Sequence, residues 1–304
     1  MAKVAILGSV NMDIVLSVGR LPQIGETISG EDIHYFVGGK GANQSVAAAR
    51  CGGQASFIGK VGNDAFGSRI LTQLQKESLD LTHLTIEENN PTGIANIYKL
   101  PEDNCIVIIP GANGAVDEDY VDQISETIQG SKVLLMQMEI PITSICKALE
   151  IAKANQVITI VNPAPFQAQI LDLLPCIDYI TPNELEFAAM LGVSGASPNL
   201  EDDLLHWQSR HHTQIILTRG KEGISFVDNG KVVTIPGHRV RAVDTTGAGD
   251  AFNGILATQL SHGHDLVAAI RYANAGAALS VTKLGAQTGM PTGEEIGAFL
   301  KHPS

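Results

Sequence analysis

The chain reads as an α/β protein, a three-layer arrangement with a mostly parallel central sheet, helices on both faces and a small separate β-sheet. Three observations carry that expectation. Apolar runs such as Val4-Ala5-Ile6-Leu7 and Val133-Leu134-Leu135-Met136 are continuous, not alternating, which marks strands buried on both faces. From residue 55 onward such runs mostly alternate with segments of helical periodicity, the rhythm of strand–helix–strand units. Two stretches, about 12–37 and 92–110, break the rhythm with strands and no helix between them, and are expected to form a lid inserted into one large domain over 1–304.

Taken in order, residues 3–8 are the first buried strand. Asn11 and Asp13 follow at its carboxyl end, where open α/β sheets place their ligands. In an extended segment both side chains share one side, which suits a polyol and equally an Asx-type turn. Residues 14–18 and 28–37 are strand-like around a Pro/Gly turn, and 38–44 form a glycine-rich loop before a helix over 45–50 that Gly52 and Gly53 end. A strand over 55–59 and a helix over 65–77 come next. The lid resumes with strands 92–100 and 105–109. A helix is expected over 116–128 with Asp117 near its N-cap, then a strand over 133–138 ending at Glu139. Helix 141–154 starts with Pro141 in its first turn. Strand 157–161 closes at Asn162, a short helix begins at 170, and 179–184 is a strand-to-helix junction around Asn183. Helix 200–210 and strand 214–218 lead to the loop Arg219-Gly220-Lys221-Glu222-Gly223, followed by strands 224–227 and 232–235. Helices over 251–260 and 266–281 complete the pattern.

Composition narrows the function classes. Lys and Arg number 20 against 32 Asp and Glu, a net charge of −12, which argues against a nucleic-acid partner. A small anionic ligand stays open, because local backbone dipoles act independently of net charge. The 31 glycines in 304 residues exceed the usual roughly 7% and suit tight turns or phosphate-cradling loops. Cys51, Cys105, Cys146 and Cys176 form no CxxC pair and read as reduced thiols, not a disulfide framework or zinc site. The N-terminus enters a strand without a signal-peptide pattern, and no apolar run reaches the about 18 residues of a membrane helix. The expectation is a cytoplasmic protein with no membrane partner.

The stretch from Ala242 to Phe252, containing Asp244-Thr245-Thr246-Gly247-Ala248-Gly249-Asp250, joins the apolar run 232–243 to a helix beginning near Gly249. Small residues let the backbone approach a ligand, and the free N–H groups of a helix start attract an anion. Asp250, in that first turn, is a sensible base for a hydroxyl attacking a phosphate. The stretch fits a glycine-rich turn with an acidic helix start equally well. There is no Gly-x4-Gly-Lys-Ser/Thr loop and no GxGxxG fingerprint, which argues against Walker-type nucleotide binding and against an NAD site. The convergence of Asn11, Asp13, Glu139, Asn162, Asn183 and Thr218 at strand ends favours a site over separate structural roles.

These residues resemble the ribokinase-like carbohydrate kinases, end to end. Gly38-Gly39-Lys40-Gly41-Ala42-Asn43-Gln44, with Gly52 and Gly62 beyond, is similar to the family's N-terminal signature, and Asp244 to Phe252 is similar to its C-terminal one. The resemblance implies a Rossmann-like three-layer kinase fold and ATP-dependent phosphorylation of a sugar hydroxyl. Gly39 to Gln44, Met136-Gln137-Met138-Glu139, Asn162-Pro163-Ala164-Pro165 and Gly285-Ala286-Gln287 resemble members that phosphorylate D-ribose at the 5-hydroxyl. By the resemblance, Asn11, Asp13, Gly39, Lys40, Gly41, Ala42, Asn43 and Glu139 would hold ribose. Asp250 would be the general base, with the Gly247, Ala248 and Gly249 amides as anion hole. Asn183, Thr218, Arg219, Gly220, Lys221, Glu222, Gly223, Gly249, Asp250 and Asn274 fall at ATP-contacting positions. Mg²⁺ would come with ATP, held through water by Glu186. Asp244, Thr246, Ser280, Lys283, Gly285 and Gly289 match a loop for an activating K⁺ ion, although related enzymes can offer a hydroxyl where Gly289 stands. Lids of this kind pair two subunits, implying a homodimer. Two other readings are a kinase for another small sugar (deoxyribose, fructose) or a nucleoside, and a non-catalytic sugar-binding protein. The all-polar set around Lys40, without an aromatic platform for a base, favours a small free sugar.

Overall fold

Side-chain alternation along the central strands divides the core into two layers, because successive residues of an extended chain face opposite sides. The computed structural model describes residues 3–193, 195 and 199–301. In β1 (Lys3–Leu7), Val4 and Ile6 pack into one layer, Ala5 and Leu7 into the other. Chain order then runs β2 (Asn11–Ser17), β3 (Asp32–Gly38), α1 (Lys40–Arg50), β4 (Gln54–Gly62), α2 (Ala65–Leu74), the short strands β5 (Leu79–Asp80) and β6 (Leu84–Glu87), β7 (Gly93–Lys99) and β8 (Asn104–Ile109). It continues with α3 (Glu118–Gln123), α4 (Ser125–Gln129), β9 (Val133–Gln137), α5 (Ile142–Ala154), β10 (Ile158–Asn162), α6 (Ile170–Leu173), β11 (Tyr179–Ile180), α7 (Glu184–Met190), α8 (Leu200–Arg210) and β12 (Gln214–Thr218). The hairpin β13 (Ile224–Asp228) and β14 (Lys231–Ile235) precedes α9 (Ala248–Ser261), α10 (Leu266–Ser280), α11 (Ala286–Gly289) and α12 (Gly293–Lys301).

Among the described residues the large sheet has ten strands in the order β14-β13-β12-β11-β10-β9-β1-β4-β5, with β6 also on β4. Pairings from β12 across to β5 and β6 are parallel, and the β12–β13–β14 edge is antiparallel. One core layer lies under α1, α9 and α10, the other under α3, α5, α7 and α8. The second sheet has the order β3-β2-β7-β8, with β2 and β7 parallel and the outer pairings antiparallel. Because β2 follows β1 after only Gly8-Ser9-Val10, this sheet stands over the carboxyl ends of the parallel strands. Among the described residues no helix is long and apolar enough to cross a membrane.

Several boundaries differ from the sequence expectation. The glycine-rich segment 40–44 is not loop: α1 begins at Lys40, because Gly41 lies where a Cβ would be 2.6 Å from the Gly8 carbonyl carbon, a close seat that outweighs glycine's poor helix propensity. The helix expected over 116–128 breaks at Ile124 into α3 and α4. Asp117 does cap α3, accepting from Tyr120 N–H at 2.9 Å. The first lid hairpin returns at Asp32, not 28, and α2 stops at Leu74. Pro141 is the residue preceding α5, not part of its first turn. Residues 236–247 form no strand or helix, so β14 does not run on to α9.

Candidate functional site

At the carboxyl ends of β1 and β9 the chain gathers three carboxylates and a lysine. Asn113 fixes the turn after β1: its side chain accepts from Val10 N–H at 2.9 Å, and donates to Val10 O at 3.0 Å and to Asn11 Oδ1 at 2.8 Å. Within β2, Asn11 and Asp13 lie two apart, and the Asp13 carboxylate packs over Gly38. Glu139 follows β9 and takes hydrogen bonds from the Ser9 hydroxyl and, at 3.2 Å, from Lys40 N–H at the start of α1. Gly39, at φ 88°, turns the chain into that helix within van der Waals contact of Val10 and Asn11. Gly41 and Ala42 face Gly8 and Ser9, with Ala42 N–H donating to Ser9 O at 2.9 Å, so they seat the helix.

Asp250 reaches this cluster from α9. Gly254, one turn on, is where α9 crosses α1, and a Cβ there would sit 2.2 Å from Gln44 O. That approach brings the buried Asp250 against Asn43, which donates to its Oδ2 at 3.0 Å, and Gln44, which donates to Oδ1 at 3.0 Å. Helix α9 starts from left-handed Gly247 (φ 80°, ψ 3°), and its first i→i−4 bond runs from Ala251 N–H to Gly247 O. The N–H groups of Gly249 and Asp250 precede that bond and are the helix's anion-seeking end.

The charges respond to one another. Burial, then Glu139 and Asp250, push the Asp13 carboxyl up to about 7. Burial raises the Asp250 pKa against the opposing pull of Lys40, Gln44 and Asn43, with Glu139 adding to the rise. For Lys40, burial favours loss of the proton, but Asp250, Glu139 and Glu186 together outweigh it and hold the ammonium. The arrangement is a buried carboxylate with two amide donors, next to a cation, one helix start away from an open cavity.

That cavity, about 300 Å³, is lined by Thr218, Gly220, Lys221, Gly249 and Asn274 among others. Asn274 shapes it indirectly, donating to Pro236 O at 2.9 Å and tethering the 236–247 segment. In that segment His238, Val240 and Ala242 line the cavity. Five other expected ATP contacts stand off its wall, Asp250 among them. Arg219 pairs with Glu184 at 3.1 Å, and Glu222 belongs to the short turn after it. Gly223 (φ 97°) makes the turn into β13, where a Cβ would sit 2.0 Å from Ile235 O. Asn183 and Glu186 form the capping box of α7, each side chain accepting from the other's N–H at 2.8 Å. Burial raises the Glu186 pKa, opposed by the Asn183 N–H and by Lys40, while Asp250 adds to the rise.

Of the residues expected around K⁺, Asp244 draws two segments together, accepting from Thr246 N–H at 3.0 Å and from Gly285 N–H at 2.9 Å. The Lys283 ammonium turns instead to Glu295 at 3.0 Å. Gly289 has no room for a side chain: a Cβ would lie 2.3 Å from Ser280 O. The structure adds Gln44, Gln137, Asn113 and Gln287 to the residues expected in the site. Gln44, Gln137 and Gln287 each stand inside a motif that carries the family resemblance, and Gln137 also closes an apolar run.

Residues 1–293 match the pfkB family carbohydrate kinase model. The chain is 40% identical over 302 residues to a ribokinase from Haemophilus influenzae, covering 98% of both chains. It is 30% identical to a deoxyribokinase from Salmonella typhi, covering 98% of both. Among solved structures, ribokinase from Thermotoga maritima is 35% identical with a TM-score of 0.89, covering 99% of this chain and 100% of that one. Arabidopsis thaliana ribokinase complexed with ribose and ATP is 28% identical with a TM-score of 0.92, again covering 99% and 100%.

Proposed function

The chain belongs to the pfkB family of carbohydrate kinases, and within it we propose that this protein transfers the γ-phosphoryl group of ATP to the 5-hydroxyl of D-ribose, giving ribose 5-phosphate and ADP. The observation that carries the reading is Asp250: a buried carboxylate fixed at both oxygens, on the first turn of a helix whose free N–H groups adjoin a nucleotide-sized cavity. Phosphoryl transfer needs in-line positioning, neutralisation of the transferring group and an acceptor for the hydroxyl proton. Asp250 takes that proton. The Gly247–Gly249 turn and α9 N-terminus receive the phosphoryl charge. Asn11, Asp13, Lys40, Asn43 and Glu139 accept from and donate to the sugar hydroxyls. The cavity beside Thr218, Gly220, Lys221 and Asn274 takes the adenosine end of ATP.

Mg²⁺ would come with ATP, and Glu186 is the residue that would hold it, through water. There it would neutralise phosphate charge. Asp244 and the carbonyls around Ser280 and Gly285 are hard oxygen donors that fit K⁺, with a carbonyl in place of a hydroxyl near Gly289. The second sheet acts as a lid and pairs two subunits. Its edge strand β8 exposes Ile106, Val107, Ile108 and Ile109, each about half accessible, and an unpaired apolar edge seeks a partner. Sedimentation of the wild type as a monomer would overturn the dimer, and an Ile108→Asp variant that stays dimeric would overturn pairing through β8. The cysteines are free, in keeping with a cytoplasmic enzyme.

Coupled ADP-release assays with ribose, deoxyribose, fructose, fructose 6-phosphate and adenosine test the reading. Turnover is expected to be highest with ribose, and no turnover on ribose would sink the proposal. Deoxyribose is the informative competitor, because a deoxyribokinase stands among the relatives.

A further inference from the structure

We infer that Gln44 is a positioning residue for phosphoryl transfer, locked by Gln137 and Asn162 into the one amide orientation that presents its NH₂ to Asp250. The inference rests on the reading of Asp250 as the base. Gln44 Nε2 donates to Asp250 Oδ1 at 3.0 Å and to Asn162 Oδ1 at 3.3 Å, while its Oε1 accepts from Gln137 Nε2 at 2.7 Å. The Asn162 and Asp250 ends are forced from outside. Asn162 Nδ2 donates to Thr181 O at 3.0 Å, and a backbone carbonyl can only accept, so Asn162 must turn its oxygen to Gln44. A flipped Gln44 would set its oxygen against two acceptors and its NH₂ against a donor.

Gln137 holds its orientation at a cost. It is fully buried, and its Oε1 has no hydrogen-bond partner among the described residues. An unsatisfied buried amide oxygen is unfavourable and calls for a reason. Turning Gln137 over would satisfy neither Gln44 nor, through it, Asp250. Room for the orphan oxygen comes from Gly8, where a Cβ would sit 1.9 Å from it. The other Asp250 oxygen ends a parallel chain: Gln73 Nε2 donates to Gln287 Oε1, Gln287 Nε2 to Asn43 Oδ1, and Asn43 Nδ2 to Asp250, at 3.2, 3.2 and 3.0 Å. Two one-way amide chains therefore converge on the carboxylate and leave its remaining lone pairs for a hydroxyl.

The experiment measures kcat, ribose KM and the pH profile of kcat for the full-length wild type, Gln44→Leu, Gln137→Leu and the double variant, with thermal melts as a folding control. Gln44→Leu is expected to lower kcat by ~10–100-fold with ribose KM little changed, as loss of alignment does. It is also expected to move the acid limb of kcat to higher pH, because a lost N–H no longer favours ionised Asp250. Lys40, Glu139, Asp13 and Glu186 face the same carboxylate and are unchanged in these variants, so they set a constant background. Gln137→Leu should cost less, and nothing further once Gln44 is Leu, since it acts through Gln44. If Gln44→Leu does not fold, the uncharged and similarly long Gln44→Met carries the same expectation. A folded Gln44 variant with unaltered kcat and acid limb overturns the inference, and so do additive effects of the two leucines. Asp250→Asn separates the layers: near-normal turnover there removes the base reading itself, whereas loss of turnover there with normal Gln44 variants removes only this inference.

Discussion

The two halves of the crevice are built by different means. On the proposed sugar side, side chains do the work: Asp13, Lys40, Asn43, Glu139 and Asp250 are buried or half-buried and tied by amides and a hydroxyl. On the proposed nucleotide side, backbone does it: glycines, a strap tethered by Asn274 and the free end of α9 frame an open cavity. A buried polar site must satisfy its charges before the ligand arrives, so it is wired in advance. An open site can leave its N–H groups to water until an anion comes. Substitutions should therefore hurt chemistry on the sugar side, and fold or nucleotide affinity on the other.

The largest expected effect is Asp250→Ala, a loss of about 10²–10⁴-fold in kcat with ribose affinity by calorimetry largely kept. Near-normal kcat would erase the contrast at its root. On the nucleotide side, Gly223→Ala should destabilise by ~1–3 kcal/mol or more, because its φ of 97° and its closeness to Ile235 O exclude a side chain. A melting temperature equal to wild type would contradict that. Gly249→Ala is the matched control: a Cβ there meets no atom within 4 Å, so the protein should fold normally while KM for ATP rises by roughly tenfold, about 1.4 kcal/mol. An unchanged KM would mean the cavity does not take ATP.

A subtler difference is pH dependence. The Asp13 carboxyl is raised in the folded state, so that state holds the proton more tightly than the unfolded chain does. Stability contributed at this position is highest below the ordinary carboxylate range and is lost as pH rises toward about 7. Ribose hydroxyls donating to the carboxylate favour its ionised form, so ribose affinity should rise with pH through the same window. Asp13→Asn should flatten both curves. Superposable melting curves for variant and wild type across that window would show Asp13 is not the source. Smallest is Arg219→Ala: its exposed-side pair with Glu184 is worth ~0–1 kcal/mol, and KM for ATP should stay within about twofold.

Much of this site was legible in the sequence, and the rest was not for definite reasons. Asn11, Asp13, Glu139 and Asp250 announced themselves as polar residues at strand ends or a helix start, where local pattern carries positional meaning. Lys40 to Gln44 has the local pattern of a loop, because glycine lowers helix propensity locally while the Gly41–Gly8 contact that rewards the helix is made with a different segment. Gln137 looked like the tail of an apolar strand, and nothing in its neighbours foretells that Gln44, 93 residues earlier, needs its NH₂.

What the sequence determined by itself is whatever depends on residues near one another along the chain: the strand–helix rhythm, the parallel sheet, the two glycine-rich signatures and an acid inside the second. Tertiary structure alone decided which groups share that acid. Asn43 and Gln44 reach Asp250 across more than 200 residues because Gly254 lets two helices touch, and hydrogen bonds act over about 3 Å in space without regard to separation in sequence.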